Sequence, residues 1–295
     1  MLRAVEDREL VTDVSDELRS DTSRAVSCVV VAYHRPREVE RLVRALADPR
    51  IEVVVVNVEN DPRIGQMQCG HMVATASNIG YGAAVNRGVA ASGSSAVVFM
   101  NDDVVASAKD VLWLTERVLA GEVDVAVPLV TRADGQLELG NRAPLGLARR
   151  MLLKGMPVPS RPMPIDAAWA PMVAVRTEVI RAVPMSEDYF LYWEEFDWFY
   201  RLHEWRARVE LNPLIRIAHA GGAGNVRPEK SRLLARNAVR CVSRTRGRKA
   251  ALRAWPVVVL WQLQLLLKSL VALEGLGVRA HTAGVWAALG SWREL

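Results

Sequence analysis

Asp102 and Asp103 follow the apolar run AVVFM (96–100) through Asn101. Two adjacent carboxylates leaving a buried strand repel each other unless a cation or donor groups relieve them. A hard divalent ion such as Mg²⁺ or Mn²⁺ takes one or two protein carboxylates and fills its other positions with water and diphosphate oxygens. The competing reading is that one of the pair simply caps the next helix. A second acidic group lies in DYFLYWEEFDWFYR (188–201), where Glu194, Glu195 and Asp197 are flanked by aromatic residues. On a helix, Glu194, Asp197 and Arg201 share a face and could neutralise one another, whereas Glu195 points about 100° away. Glu195 is then the carboxylate freest to face a pocket, and water-excluding aromatic neighbours would raise its pKa toward what a general base needs. Against that stands the general preference for acids in the first turn of any helix.

His219 closes a strand-like run and is followed by glycines that permit close approach of a ligand to the backbone. A lone histidine is more often structural than a ligand, and its weight here rises only because a metal site is already indicated. The run SNIGYGAAVNRG (77–88) resembles a phosphate-binding turn, yet it lacks the third glycine of the dinucleotide fingerprint and follows no clear strand. A nicotinamide enzyme is therefore poorly supported. Gly82 and Gly88 are expected to let a helix pack closely under a nucleotide, with Asn86 or Arg87 supplying a polar contact.

The elements that must position these residues begin at Ala25. Short β-branched runs alternate with helical stretches, as for a mostly parallel sheet with crossover helices. VSCVVVAY forms a first strand, and an amphipathic helix follows from about Arg37 to Ala47, with Val39, Leu42, Val43 and Leu46 on one face. IEVVVVN is a second strand running into the turn Glu59-Asn60-Asp61-Pro62. SNIGYG opens a helix through Ala91, and AVVFM delivers Asn101-Asp102-Asp103. In such folds ligand groups collect at the carboxyl ends of the strands. From Val104 to about Ala220 the alternation loosens around VDVAVPLV, a turn at Asp134-Gly135, a Pro-rich segment near residues 156–164 and the acidic–aromatic block, and the acceptor side of the site is expected there. After Gly224 the composition shifts to Arg, Leu, Ala and Trp with helical periodicity, which predicts a C-terminal helical region over 225–295.

The chain has 295 residues, 51% hydrophobic and 24% charged, enough for a large core and against wholesale disorder. Its formal net charge of +5 suits diphosphates, anionic headgroups or nucleic acid equally well. Cys28, Cys69 and Cys241 are odd in number and widely separated, which argues against a disulfide framework and a zinc site and for a reducing cytosol. Residues 1–24 read as a mobile leader without a signal-type apolar stretch, so a cytoplasmic location is expected. WPVVVLWQLQLLLKSLVAL (255–273) is strongly apolar but interrupted by Gln262, Gln264 and Lys268, whereas a spanning helix needs roughly 20 mostly apolar residues. Together with the cationic run RTRGRKAALR before it, the segment reads as a helix on the inner membrane surface or on a partner subunit, a homodimer among the options. A buried helix hairpin of the same chain has equal standing.

Taken in order, VSCVVVAYHRP, SNIGYGAAVNRG, FMNDDV, FLYWEEFDWFYR and AHAGG resemble glycosyltransferase family 2 with the GT-A nucleotide-diphospho-sugar transferase fold, especially its rhamnosyltransferase-like and galactofuranosyltransferase-like branches. The resemblance covers about residues 25–224, taken as the catalytic domain. It implies a metal-dependent, inverting hexosyltransferase with Mg²⁺ or Mn²⁺ as cofactor and a dTDP- or UDP-linked sugar, rhamnose on the branch resemblance, as donor. The implied acceptor is a saccharide, a lipid-linked saccharide or a small metabolite, with no nucleic acid as partner. Asn101-Asp102-Asp103 would stand at the DXD-type position, with Asp103 and His219 as metal ligands. Glu195 would be the base, with Glu194 beside it. Donor contacts would come from Ala32, Tyr33 and Arg35, from Asn57 and Glu59, from Asn78, Gly80 and Asn86, and from Asn101 and Asp102. The sequence departs from the family twice. Its second strand ends Val56-Asn57-Val58-Glu59-Asn60, where an Asp-containing turn is usual, and Glu195 replaces the commoner Asp.

Two other classes compete. A glycoside hydrolase needs two carboxylates flanking the scissile bond at roughly 5 to 9.5 Å, and neighbouring Glu194 and Glu195 diverge on a helix. A membrane-peripheral or nucleic-acid-binding scaffold would use the Arg-rich C-terminal third without catalysis.

Overall fold

The computed structural model describes residues 25–132, 135, 137–138, 158–168, 171–219 and 227–294. The expected leader, Asp134 of the predicted turn, the start of the Pro-rich segment, the glycines after His219 and the border at 224/225 lie outside the described residues. The strands are β1 (Val26–Ala32), β2 (Ile51–Asn57), β3 (His71–Ala74), β4 (Ala96–Asn101), β5 (Val104–Val105), β6 (Val125–Arg132), β7 (Leu137–Glu138), β8 (Met163–Pro164), β9 (Met172–Arg176) and β10 (Val209–His219). The helices are α1 (Pro36–Ala45), α2 (Pro62–Gly65), α3 (Tyr81–Ala91), α4 (Ala108–Leu119), α5 (Thr177–Ala182), α6 (Glu194–Glu204), α7 (Pro228–Arg246), α8 (Arg248–Val271) and α9 (Gly275–Gly290).

One sheet in the order β3-β2-β1-β4-β9-β6-β10-β5 organises these elements. β1 lies parallel to β2 and β4, and β2 is parallel to β3. β9 runs antiparallel between β4 and β6, and β10 is again parallel to β6. The sheet is thus mixed and flanked by helices, with β1 and β2 buried along their whole length, as strands covered on both faces must be. Alternate residues feed two cores. Val29, Val54, Val97 and Phe99 pack with Ala84 and Val85 of α3 and with Trp198 and Phe199 of α6. Cys28, Val53, Val98 and Met100 pack with Leu42 of α1 and Leu114 of α4.

The structure corrects one reading before SNIGYG: a strand, β3, does precede it. β3 is four residues long, sits at the sheet edge and has no fully buried position, so it leaves no periodic apolar signature. Gly88 lets α3 approach the sheet, since a Cβ there would fall 2.2 Å from Val29 Cγ1. The C-terminal helical region is present as α7, α8 and α9.

Candidate active site

The carboxyl ends of β1, β2 and β4 open on one side of the sheet, and register brings a fourth strand to them. β5 begins directly after Asp103 and pairs antiparallel with the end of β10, His219 opposite Val104. That pairing sets His219 Nε2 3.0 Å from Asp103 Oδ1 and 3.4 Å from Asn101 Nδ2. Asp103 Oδ2 accepts from Arg35 Nη1 at 2.5 Å, and the same guanidinium lies 3.8 Å from Asp102 Oδ1. Asp102 Oδ2 accepts the Tyr33 amide at 2.9 Å, tying the end of β1 to the end of β4.

The two aspartates differ in electrostatics. Burial pushes the Asp102 carboxyl up to about 6, and the Tyr33 amide and Arg35 only partly offset it. Burial also opposes ionisation of Asp103, but His219 and Arg35 outweigh it and hold this carboxyl below the ordinary value. Asp103 is therefore the more acidic member of the pair, and Asp102 is the one that takes up a proton first as the pH falls.

Asp103 and His219 can hold a divalent cation together. Two donors on adjacent vertices of an octahedron with bonds of about 2.1 Å stand about 3.0 Å apart, the spacing found here. Asp103 Oδ1 is buried, and no donor among the described residues reaches it in hydrogen-bond alignment. No cluster of three or more metal-ligating side chains occurs among the described residues, so the other positions of such an ion would fall to diphosphate oxygens and water.

The acidic block starts α6. Glu194 is 1% exposed, and its Oε2 has no hydrogen-bond partner among the described residues. Burial, and then the neighbouring Glu195 carboxylate, hold its carboxyl well above the ordinary range. The expected ladder forms only in part. Asp197 pairs with Arg201 at 2.8 Å, while Glu194 is buried and forms no ion pair among the described residues. Glu195 is the residue from 193 to 199 that stays partly accessible. Ahead of the helix, Tyr192 and Trp193 both have positive φ, 69° and 78°, and α7 braces this turn. Asn237 Nδ2 donates to the carbonyls of Leu191 and Tyr192, and Trp193 Nε1 donates to that of Leu234.

Tyr81, at the first position of α3, carries a functional signal that sequence reasoning missed. Its hydroxyl is buried without a partner among the described residues. Burial raises its pKa well above the ordinary value, and Glu195, Glu194, Asp103 and Asp102 all add to the shift. Both acidic pairs therefore act on one phenol, although 91 positions separate Asp103 from Glu194 (194 − 103). Only the position of Tyr81 inside SNIGYG could have drawn attention to it.

The remaining expected donor contacts divide. Ala32 and Tyr33 end β1 beside Asp102, and Asn101 meets His219. Gly80 has φ 84°, its amide bonds Asn78 Oδ1 at 3.0 Å, and the Phe190 carbonyl crowds it. Glu59 is held by His34 Nε2 at 2.8 Å. Asn57 and Asn86 do not present free amides. Asn57 exchanges two hydrogen bonds with the Asp61 backbone, and Asn86 holds Met185 at both its oxygen and its nitrogen and also reaches Glu187. Both sit where the chain reverses or crosses, and unsatisfied backbone groups there compete for the amide. Gly82 likewise faces Ser186 and Met185.

This combination of a parallel β1–β2–β4 half-sheet, an acidic pair at the end of β4 and a second one on α6 defines a GT-A fold. The Glycosyl transferase family 2 model matches residues 27–182, more than half of the chain, and the protein belongs to that family. Solved structures agree on the fold. Glucosyl-3-phosphoglycerate synthase from Mycobacterium tuberculosis, in complex with Mn²⁺, UDP and glucosyl-3-phosphoglycerate, is 18% identical with a TM-score of 0.52, over 75% of this chain and 80% of that one. A mannosyltransferase from Pyrobaculum calidifontis in complex with GDP-mannose and Mn²⁺ is 12% identical with a TM-score of 0.54, over 93% and 88% of the two chains. A mycobacterial protein is 18% identical with a TM-score of 0.55, over 75% of each. No curated protein sequence matches the chain.

Proposed function

We propose that the protein is a divalent-metal-dependent, inverting glycosyltransferase that moves a sugar from a nucleoside diphosphate donor to an acceptor hydroxyl. The observation that carries this reading is the 3.0 Å approach of His219 Nε2 to Asp103 Oδ1 after β4, the spacing of two ligands of one divalent cation, and the raised pKa of the Tyr81 phenol near both acidic pairs supports it. Asp103 and His219 would hold the cation, and Mn²⁺ in two solved relatives of the same fold supports the choice of ion. When bound, that cation supplies charge stabilisation for the departing diphosphate.

The chain's own residues perform the remaining tasks. Arg35, half-exposed beside Asp103, can turn from the carboxylate to a phosphate oxygen, a contact that guanidinium geometry favours. Glu195 accepts the acceptor hydroxyl's proton while that oxygen bonds to the anomeric carbon and the bond from this carbon to the diphosphate oxygen breaks. Attack from the side opposite the leaving group inverts the centre. Glu194 is buried beside Glu195 at the helix start, its carboxyl held well above the ordinary range by burial and by that neighbour.

A dTDP- or UDP-linked hexose, rhamnose first among them, is the proposed donor, and a saccharide, lipid-linked saccharide or small metabolite the acceptor. A thermal-shift screen of nucleoside diphosphates and sugar nucleotides, with and without Mn²⁺, tests this. Stabilisation that needs both the metal and one nucleotide is expected. No response to any pair of metal and nucleotide would overturn it.

A further inference from the structure

α8 is built the wrong way round for a helix in water. Its buried stripe is Ala251, Val258, Gln262 and Ser269, one face by their spacing of seven, four and seven. The opposite stripe carries leucines, with Leu260 65% and Leu267 61% exposed. A soluble helix turns its apolar face inward; here two polar residues face inward and leucine faces out.

The partner helix continues the pattern. α9 buries Gly277, Ala280, Ala283, Gly284 and Ala288. A Cβ on Gly284 would fall 2.2 Å from Gln262 Oε1, and one on Gly277 would fall 2.5 Å from Ser269 Oγ. Close packing through small residues and polar side chains suits helices whose outer surroundings are apolar. At the hairpin tip Leu273 and Leu276 stand in the open, as does Trp286 on α9.

Length and charge identify what covers this surface. The most apolar 18-residue window of α8 has a mean hydropathy of 1.5 and is only 17% buried. Between Arg253 and Lys268, however, lie only the 14 uncharged residues 254–267. They span about 21 Å, short of the roughly 30 Å hydrocarbon core. From 246 to 279 the chain carries Arg246, Arg248, Lys249, Arg253, Lys268 and Arg279 against the single acid Glu274. A second copy docked on this face would bring those cations against themselves, whereas anionic headgroups complement them.

We infer that the outward face of the α8–α9 hairpin lies in the interfacial layer of an anionic lipid bilayer without crossing it. Flotation of the full-length protein with phosphatidylcholine vesicles, with and without phosphatidylglycerol, tests this together with its oligomeric state in solution. Binding is expected to vesicles containing phosphatidylglycerol, to fall with added salt, and to weaken at least ten-fold in Leu260→Gln/Leu267→Gln, whose melting temperature should match the wild type because both leucines are outside the core. Three results would overturn the inference: no binding to anionic vesicles, equal binding by the double variant, or a wild-type dimer that the double variant turns into a monomer. None of these outcomes bears on sugar transfer.

Discussion

Asn237 donates its side-chain amide to the carbonyl of Tyr192, 3.1 Å away, and so joins α7 to the turn that launches the acidic block. Tyr192 and Trp193 hold left-handed backbone conformations, each of which costs roughly 1–3 kcal/mol unless the surroundings enforce it. Asn237 is fully buried and satisfies two carbonyls of that turn. Asn237→Ala should lower stability by about 1–3 kcal/mol and reduce kcat more than donor affinity. Thermal melting combined with steady-state kinetics checks this, and an unchanged kcat would remove the turn from the account of activity.

The two glutamates should respond oppositely to the same substitution. Glu194 is buried, and burial with the neighbouring Glu195 opposes its ionisation, so Glu194→Gln, which keeps the size of the side chain without a charge, should retain turnover within about ten-fold, that is, about 1.4 kcal/mol. Glu195→Gln removes the proposed base and should cost roughly 100-fold or more in kcat at unchanged donor affinity. Single-turnover rates beside donor titrations separate the two. The reverse ranking would transfer the base role to Glu194.

Gly80 is fixed by conformation and by space. Its φ is 84°, and a Cβ there would meet the Phe190 carbonyl oxygen at 2.3 Å. Gly80→Ala should destabilise by about 1–3 kcal/mol and loosen the contact between α3 and the segment before α6. Denaturant melts measure the first effect; a wild-type midpoint would contradict it.

His34 gives a pH signature outside the metal site. Its hydrogen bond to Glu59, opposed by slight burial and helped by Asp61, raises its pKa above 6.5. A folded-state value above the unfolded one gives stabilisation that is present in full below the unfolded pKa and lost as pH rises through the folded value. The effect is small because the imidazole is about half exposed. An NMR titration should find the His34 midpoint above 6.5 in the wild type and lower in Glu59→Gln. A wild-type midpoint at or below 6.5 would refute the pairing.

Much of this was legible in the sequence because it is local. The valine runs at 29–31 and 53–56, the Asp102-Asp103 pair after an apolar strand and the EEFD block are contiguous signals. β3 was not legible, since an edge strand of four half-wet residues has no periodicity. Nor was the fate of Asn86, whose amide answers the Met185 backbone 99 positions away, or of Asn57, whose amide is taken up by the turn at Asp61. Tyr81 belongs with these, for its hydroxyl gains meaning from carboxylates at two distant places in the chain, the end of β4 and the start of α6. The inverted polarity of α8 also needed the structure, because sequence alone does not say which stripe of an apolar helix is covered.

Release of nucleoside diphosphate from the sugar nucleotide found in the stability screen, followed with and without EDTA in the wild type and in Asp103→Ala, is the most direct test of metal-dependent transfer. Release should stop in EDTA, return with added Mn²⁺ or Mg²⁺, and fall about 100-fold or more in the variant. Undiminished release in EDTA, or by Asp103→Ala, would contradict the assignment of Asp103 and His219 as the cation's protein ligands and with it the proposed reaction.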